Sequence, residues 1–195
     1  MPSEPPPADV FEATYLASDD PRAQSGFRGD EARWESARRP IVEAIDRPGA
    51  FLDIGCANGY LLESIVRWSP HAIEPYGLDF APKLVALARE RLPQWSDRFF
   101  VGDALTFQPP RRFDFARTEL VYVPAEQRRE LVERLLTFVT RLIVCSYGSR
   151  RSNLPADDVG AELRGLGFDV IGEVEREGLE GALLRVAWIG GGTTA

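Results

Sequence analysis

Asp53, Asp79 and Asp103 are the residues of this chain best spaced for chemistry. Each closes an apolar run, and about 25 residues separate one from the next, the length of one strand-and-helix unit. Asp53 ends a strand-like run and is followed by Gly55 and Gly59, whose missing Cβ lets the backbone turn sharply and a ligand lie against it. A helix opening near Gly59 offers unpaired N–H groups and a partial positive charge, while Asp53 supplies negative charge at the strand tip. That pairing suits a ligand carrying both a carboxylate and a cation. Asp79 stands 20 residues beyond Gly59, close to the spacing at which open α/β sheets present a carboxylate to ribose hydroxyls.

Each feature also has a plainer reading. The two glycines fit an ordinary strand-to-helix turn, Asp79 before a helix fits an N-cap, and Gly102-Asp103 fits a common turn. A dinucleotide-binding turn would need glycines spaced G-x-G-x-x-G, which the chain lacks, and Asp53 would sit poorly beside a pyrophosphate.

The run FLDIGCANGYLL, residues 51–62, resembles motif I of the class I S-adenosylmethionine (SAM)-dependent methyltransferases, with Ala57 in place of the middle glycine. YGLDF and VGDAL follow in the family's order. The resemblance implies SAM as cofactor and S-adenosylhomocysteine (SAH) as product. It places Asp53, Gly55, Cys56, Ala57 and Gly59 around the methionine end, Asp79 on both ribose hydroxyls, and Asp103 near the adenine amino group, with Phe80, Ala104 and Thr118 completing the cofactor set. It also implies an α/β fold, a single-domain Rossmann-like doubly wound sheet of seven strands, order 3-2-1-4-5-7-6, the last antiparallel, over residues 30–190.

The elements needed for that fold are readable. FDFARTELVYV (113–123) is a fourth strand with its exit loop, a helix starts near Pro124, and RLIVCSYGS (141–149) is a buried fifth strand. DDVGAELRGLGF reads as a helix, and a final antiparallel pair is joined through Gly178 to Gly181. Leu84, Leu87, Ala88 and Leu92 share one helical face. Asp30 can cap a helix running to about Ile45, with Trp34, Ala37, Ile41 and Ile45 on its apolar side. The expected organisation is a disordered N-terminus at 1–12, a lid and helix at 13–47, the core at 48–190 and a loose tail at 191–195. In the family, the segment before the first strand often folds over the cleft and helps choose the acceptor. Tyr15, Phe27, Arg28, Arg33 and Trp34, with Tyr147 after the fifth strand, are therefore candidate acceptor contacts, although Phe27 and Trp34 could equally pack on the core.

Composition narrows the chemistry further. With 195 residues and 44% hydrophobic content the chain can bury one core. Its net charge of −7 disfavours a nucleic-acid substrate, although arginine pairs leave local basic patches open. No apolar run reaches the ~18 residues that span a bilayer, and the start lacks a signal-peptide pattern, so a cytoplasmic location is expected. Cys56 and Cys145 fit no metal-ligand spacing and read as reduced, buried thiols; no metal is expected.

A methyl transfer needs a base only when the acceptor must lose a proton. ARTELVYVP after the fourth strand lacks the Asn- or Asp-Pro-Pro-aromatic motif of enzymes that methylate exocyclic or amide nitrogens, and it has no cysteine nucleophile. Lys83 is the single lysine, which excludes a Lys-Asp-Lys-Glu tetrad. A small-molecule acceptor methylated at O, N or C remains. Glu119 and Tyr122 are the candidate catalytic residues, and His71, the one histidine, belongs on the face away from the cleft. An aminopropyl transferase on the same fold and a non-catalytic SAM-binding scaffold are the other open readings.

Overall fold

The computed structural model describes residues 7–190. Its strands are β1 (Gly49–Ile54), β2 (Ile73–Asp79), β3 (Phe99–Val101), β4 (Phe113–Thr118), β5 (Val139–Ser149), β6 (Val170–Glu177) and β7 (Ala182–Gly190). The helices are α1 (Ala8–Tyr15), α2 (Glu31–Arg38), α3 (Tyr60–Trp68), α4 (Pro82–Arg91), α5 (Ala125–Leu136) and α6 (Val159–Gly165). Alternate residues of the central strands are apolar on both faces, so the sheet has to be covered twice. Phe51 of β1 and Ile143 of β5 pack with Trp34, Leu62 and Val85 on one face. Leu52, Leu142 and Val144 pack with Leu131, Leu135 and Leu163 on the other.

The sheet has seven strands in the order β3-β2-β1-β4-β5-β7-β6, with β1 to β5 parallel and β7 antiparallel to both its neighbours. The fold is thus the one the resemblance implies. Strand order reverses between β1 and β4, and a crevice opens beyond their carboxyl ends, where ligands of open α/β sheets bind.

Two expectations about the N-terminal region need correction. The helix capped by Asp30, whose side chain accepts from the Arg33 N–H, does not continue to Ile45. It ends at Arg38, and Arg39–Ala44 form a 3₁₀ stretch, because Pro40 offers no N–H and crowds the preceding turn. Trp34, Ala37, Ile41 and Ile45 are nevertheless all buried. Residues 8–12 are not disordered but form the first turns of α1. Glu12 holds them down, one carboxylate oxygen accepting from the Lys83 N–H at the start of α4 and the other pairing with Lys83 Nζ, both at 2.9 Å. Residues 1–6 of the expected disordered segment and the tail 191–195 lie outside the described residues. Among the described residues no helix is long and apolar enough to cross a membrane, and no group of three His, Cys, Asp or Glu side chains could hold a metal ion.

Candidate active site

The turn after β1 is held from β2. The N–H groups of Gly55 and Cys56 both donate to the Leu78 carbonyl, and the Asp79 carboxylate accepts from the N–H of Ala57 at 2.8 Å and of Ala81 at 2.9 Å. Ala57, in the place of the family's middle glycine, stands at φ +46°. A left-handed alanine costs ~1–2 kcal/mol, so the bond from Asp79 and the packing of its methyl against Ala81 and Leu84 fix the turn against a local preference.

The two glycines of the turn do different things. Gly55, at φ +81°, has no atom within 4 Å of where a Cβ would stand, so its bare face is open to a ligand. Gly59, at φ +75°, would place a Cβ 2.9 Å from Leu92 and 3.3 Å from the Phe99 ring. Gly59 therefore faces the core, and the expectation that it lies against the cofactor is corrected: its bare face is needed for helix packing. We expect Gly59→Val to cost ~2–4 kcal/mol through left-handed strain and overpacking. Gly55→Val should weaken SAH binding by more than its effect on stability. Urea unfolding and calorimetry on the two variants check this, and equal effects on both measurements at both positions would contradict it.

Above the turn lies a cavity of about 700 Å³. Gly55, Cys56, Ala57, Asp79, Phe80, Asp103, Ala104 and Thr118 line one part of it, and Tyr15, Trp34, Glu119, Tyr122 and Tyr147 line the rest. The residues predicted to hold SAM therefore meet, with two exceptions, Gly59, whose bare face is turned to the core, and Asp53. Asp53 is fully buried and does not reach the cavity wall. Phe27, Arg28 and Arg33 also lie off the wall. Phe27 packs edge-on against Trp34 with ring centres 5.2 Å apart, and Arg33 donates to the Arg28 carbonyl and pairs with Glu180. His71 is in the turn between α3 and β2, away from the cavity.

The structure changes what Asp53 does. Its carboxylate is not free negative charge for a ligand but the partner of Arg117, Nη1 to Oδ1 at 3.3 Å. A lone buried carboxylate is costly, and pairing offsets that cost. Burial still pushes the Asp53 carboxyl up to about 6, with the guanidinium pulling the other way. Arg117 in turn donates through Nη2 to Glu119 and, at 2.8 Å, to the Tyr147 hydroxyl. Burial opposes its charge, but Tyr147, Glu119 and Asp53 outweigh burial and hold its pKa well above the ordinary range. Arg117 was not singled out from sequence, although a cation inside the apolar run FDFART is itself a sign of a buried partner.

Two further residues escaped the sequence reading. Asn58, fully buried, donates to the Pro21 carbonyl at 2.8 Å and accepts from the Ser25 hydroxyl at 2.6 Å, so it ties the turn to the N-terminal segment. Phe11 of α1 meets Phe80 and Tyr122 edge-on, at 5.3 and 5.8 Å between ring centres, and roofs the cavity mouth. Burial raises the phenols of Tyr122 and Tyr147 above their ordinary range, so neither is a ready base near neutral pH. Cys56 and Cys145 are buried free thiols, also raised by burial.

The bare face of Gly55, the carboxylates of Asp79 and Asp103 beyond it, and the exposed ring of Phe80 fit the amino-acid, ribose and adenine parts of SAM. Residues 51–141 match the family model of the methyltransferase domain. Among solved structures, the fold is similar to the N-methyltransferase NodS of Bradyrhizobium japonicum WM9 in complex with SAH, at 19% identity and TM-score 0.69, covering 94% of this chain and 97% of that one. It is also similar to the [4+2]-cyclase SpnF, at 15% identity and TM-score 0.64 over 96% and 97% of the two chains. A third is the magnesium protoporphyrin IX methyltransferase ChlM of Synechocystis PCC 6803 with bound SAM, at 15% identity and TM-score 0.60 over 93% and 96%. Residues 51–141 thus match a methyltransferase domain, and in strand order and in the residues gathered around the turn after β1 the chain has the fold of the class I SAM-dependent methyltransferases.

Proposed function

We propose that the protein methylates an O, N or C atom of a small molecule held beside Glu119, Tyr122 and Tyr147. The supporting observation is the continuity of the cavity: the wall formed by Gly55, Ala57, Asp79 and Asp103 runs without a break into the wall formed by Trp34, Glu119, Tyr122 and Tyr147. SAM, when bound, supplies an activated methyl group, and the chain supplies position and the exclusion of water. The turn and Asp79 hold one partner, while Trp34, Tyr122 and Tyr147 bound the space for the other. Phe11, Tyr15 and Tyr122 cover the mouth. The net charge of −7 and the enclosed, largely apolar space favour a metabolite over a nucleic acid, within a soluble cytoplasmic setting.

Glu119 is the residue we assign to accepting the acceptor's proton. One of its carboxylate oxygens is engaged by Arg117, and its side chain reaches the cavity wall, where the other oxygen can take a proton. Tyr122, with its phenol raised, positions the acceptor and donates a hydrogen bond. Glu119→Gln should reduce methyl transfer by ~10²–10⁴-fold, the usual size of a general-base contribution, with SAH affinity within a few-fold of wild type. Full activity in the variant would remove Glu119 from that role. The reading as a whole is tested by incubating the protein with methyl-labelled SAM and separated metabolite, protein and RNA fractions. Label is expected in the metabolite fraction, and label confined to RNA or protein would overturn it.

A further inference from the structure

The acceptor side of the cavity carries more negative charge than the chain balances. Two carboxylates line it, Glu119 and Asp157, with one guanidinium, Arg117. Arg117 already pairs with Asp53 behind the wall and Glu119 on it, so one positive charge faces two negative ones. Asp53, pushed up to about 6 by burial, is ionised at pH 8 and takes its share of that charge. Glu119 keeps one oxygen that accepts no bond from the chain, on a side chain that reaches the cavity. Asp157 is held at the rim through its N–H, which donates to Ser146 Oγ at 2.9 Å. Its neighbour Asp158 caps α6 and pairs with Arg185, but among the described residues no cation lies within ion-pair distance of Asp157. Arg38, the other cation of the wall, belongs to the cofactor side. It closes α2 and stands 5.3 Å over Trp34, whose indole donates at 3.0 Å to Ser64 on α3, beside the turn given to the methionine end of SAM.

We propose that the methyl acceptor is a small amine that enters as its ammonium ion, with Glu119 and Asp157 as its counter-charges. This rests on the small-molecule methyltransferase reading above and narrows the methylated atom to nitrogen. An aliphatic amine is protonated near neutral pH, and an ammonium offers only donors, which match carboxylate and phenol oxygens. In a largely apolar cavity an excess negative charge draws a cation and rejects an anion more strongly than it does in water. Tyr122, nearly half exposed at the mouth, adds an aromatic ring and a hydroxyl for the same cation, and Val121 and Leu154 offer apolar wall to the body of the amine. Methylation requires the ammonium to lose one proton, which passes to the free Glu119 oxygen and from there to water. The nitrogen lone pair then forms the C–N bond as the methyl C–S bond breaks, and the electrons of that bond stay on the sulfur of SAH. The product is the N-methylammonium ion.

The full chain, saturated with SAH at pH 8, is titrated by calorimetry with benzylamine, 2-phenylethylamine and hexylamine, with the three matching alcohols, and with benzoate and hexanoate. At least one amine is expected to bind about tenfold or more tightly than its alcohol, the size of a charge-assisted hydrogen bond, and more tightly than either acid. In Glu119→Gln, whose amide oxygen can still accept from Arg117, that preference should be largely lost. In Asp157→Asn it should fall by less, because Asp157 stands at the wet rim, and SAH affinity should stay within a few-fold in both variants. Alcohols or acids that bind as tightly as the amines, no binding of any amine, or an unchanged preference in either variant overturns the proposal. A loss of SAH affinity in Glu119→Gln of about tenfold or more, in protein whose unfolding transition is intact, also overturns it by assigning Glu119 to the cofactor's own amino group. Failure of wild-type protein to bind SAH would instead refute the methyltransferase reading on which the proposal stands.

Discussion

Arg117→Met is expected to destabilise the protein by ~3–5 kcal/mol at pH 8, the usual result of removing one partner from a buried ion pair. Arg117 is the sole cation paired with Asp53 among the described residues, and Asp53 is fully buried with its second carboxylate oxygen unbonded. Methionine fills similar space but leaves the Asp53 charge uncompensated. The effect should depend on pH with a definite sign. Burial already holds Asp53 at about 6, above its ordinary 3.8. Without the guanidinium its pKa rises further. Between the unfolded and folded values the native state binds the additional proton, so stability falls as pH rises through that window and recovers as pH falls. Urea unfolding at pH 8 and pH 5.5 should therefore give a larger deficit for Arg117→Met at pH 8. A deficit that is equal at both values, or larger at pH 5.5, would contradict the pairing.

Asp79→Ala should lower SAH affinity at least tenfold. Charged hydrogen bonds are worth ~1.5–3 kcal/mol each, and two are expected to the ribose. The structure adds a second consequence, because the same carboxylate accepts from Ala57 and Ala81. Its removal leaves two N–H groups without their acceptor and frees the strained turn, so the melting temperature should fall as well. The ribose contribution is separated from the turn by a cycle with the 2′-deoxy analogue of SAH. Wild-type protein should discriminate against the analogue and Asp79→Ala should not. Discrimination that is unchanged in the folded variant would show that Asp79 serves the turn alone.

The parts of the site that the sequence made legible are those set by backbone periodicity. Apolar runs ending in Asp79 and Asp103 define strand tips, and strand tips of a parallel sheet share one edge. Gly55 and Gly59 were recognisable as a turn, but their spacing does not say which bare face is turned to the ligand and which to Leu92 and Phe99. Asp53 was correctly placed at the tip of β1 and wrongly left unpaired, because its partner is 64 residues away. Arg38, Asn58 and Phe11 were hidden for the same reason. Their roles arise where α1, α2 and the turn after β1 meet in space, and no local pattern encodes that meeting. Pro40 alone could have warned that the helix from Asp30 would end early.

The most direct test of the account is calorimetric titration of the full chain with SAH, with NAD as the comparison ligand. The cradle of Gly55, Ala57, Asp79 and Asp103 predicts saturable one-to-one binding of SAH, lost in Gly55→Val, and no binding of NAD. Absence of SAH binding by the folded protein, or binding of NAD at comparable strength, would contradict it.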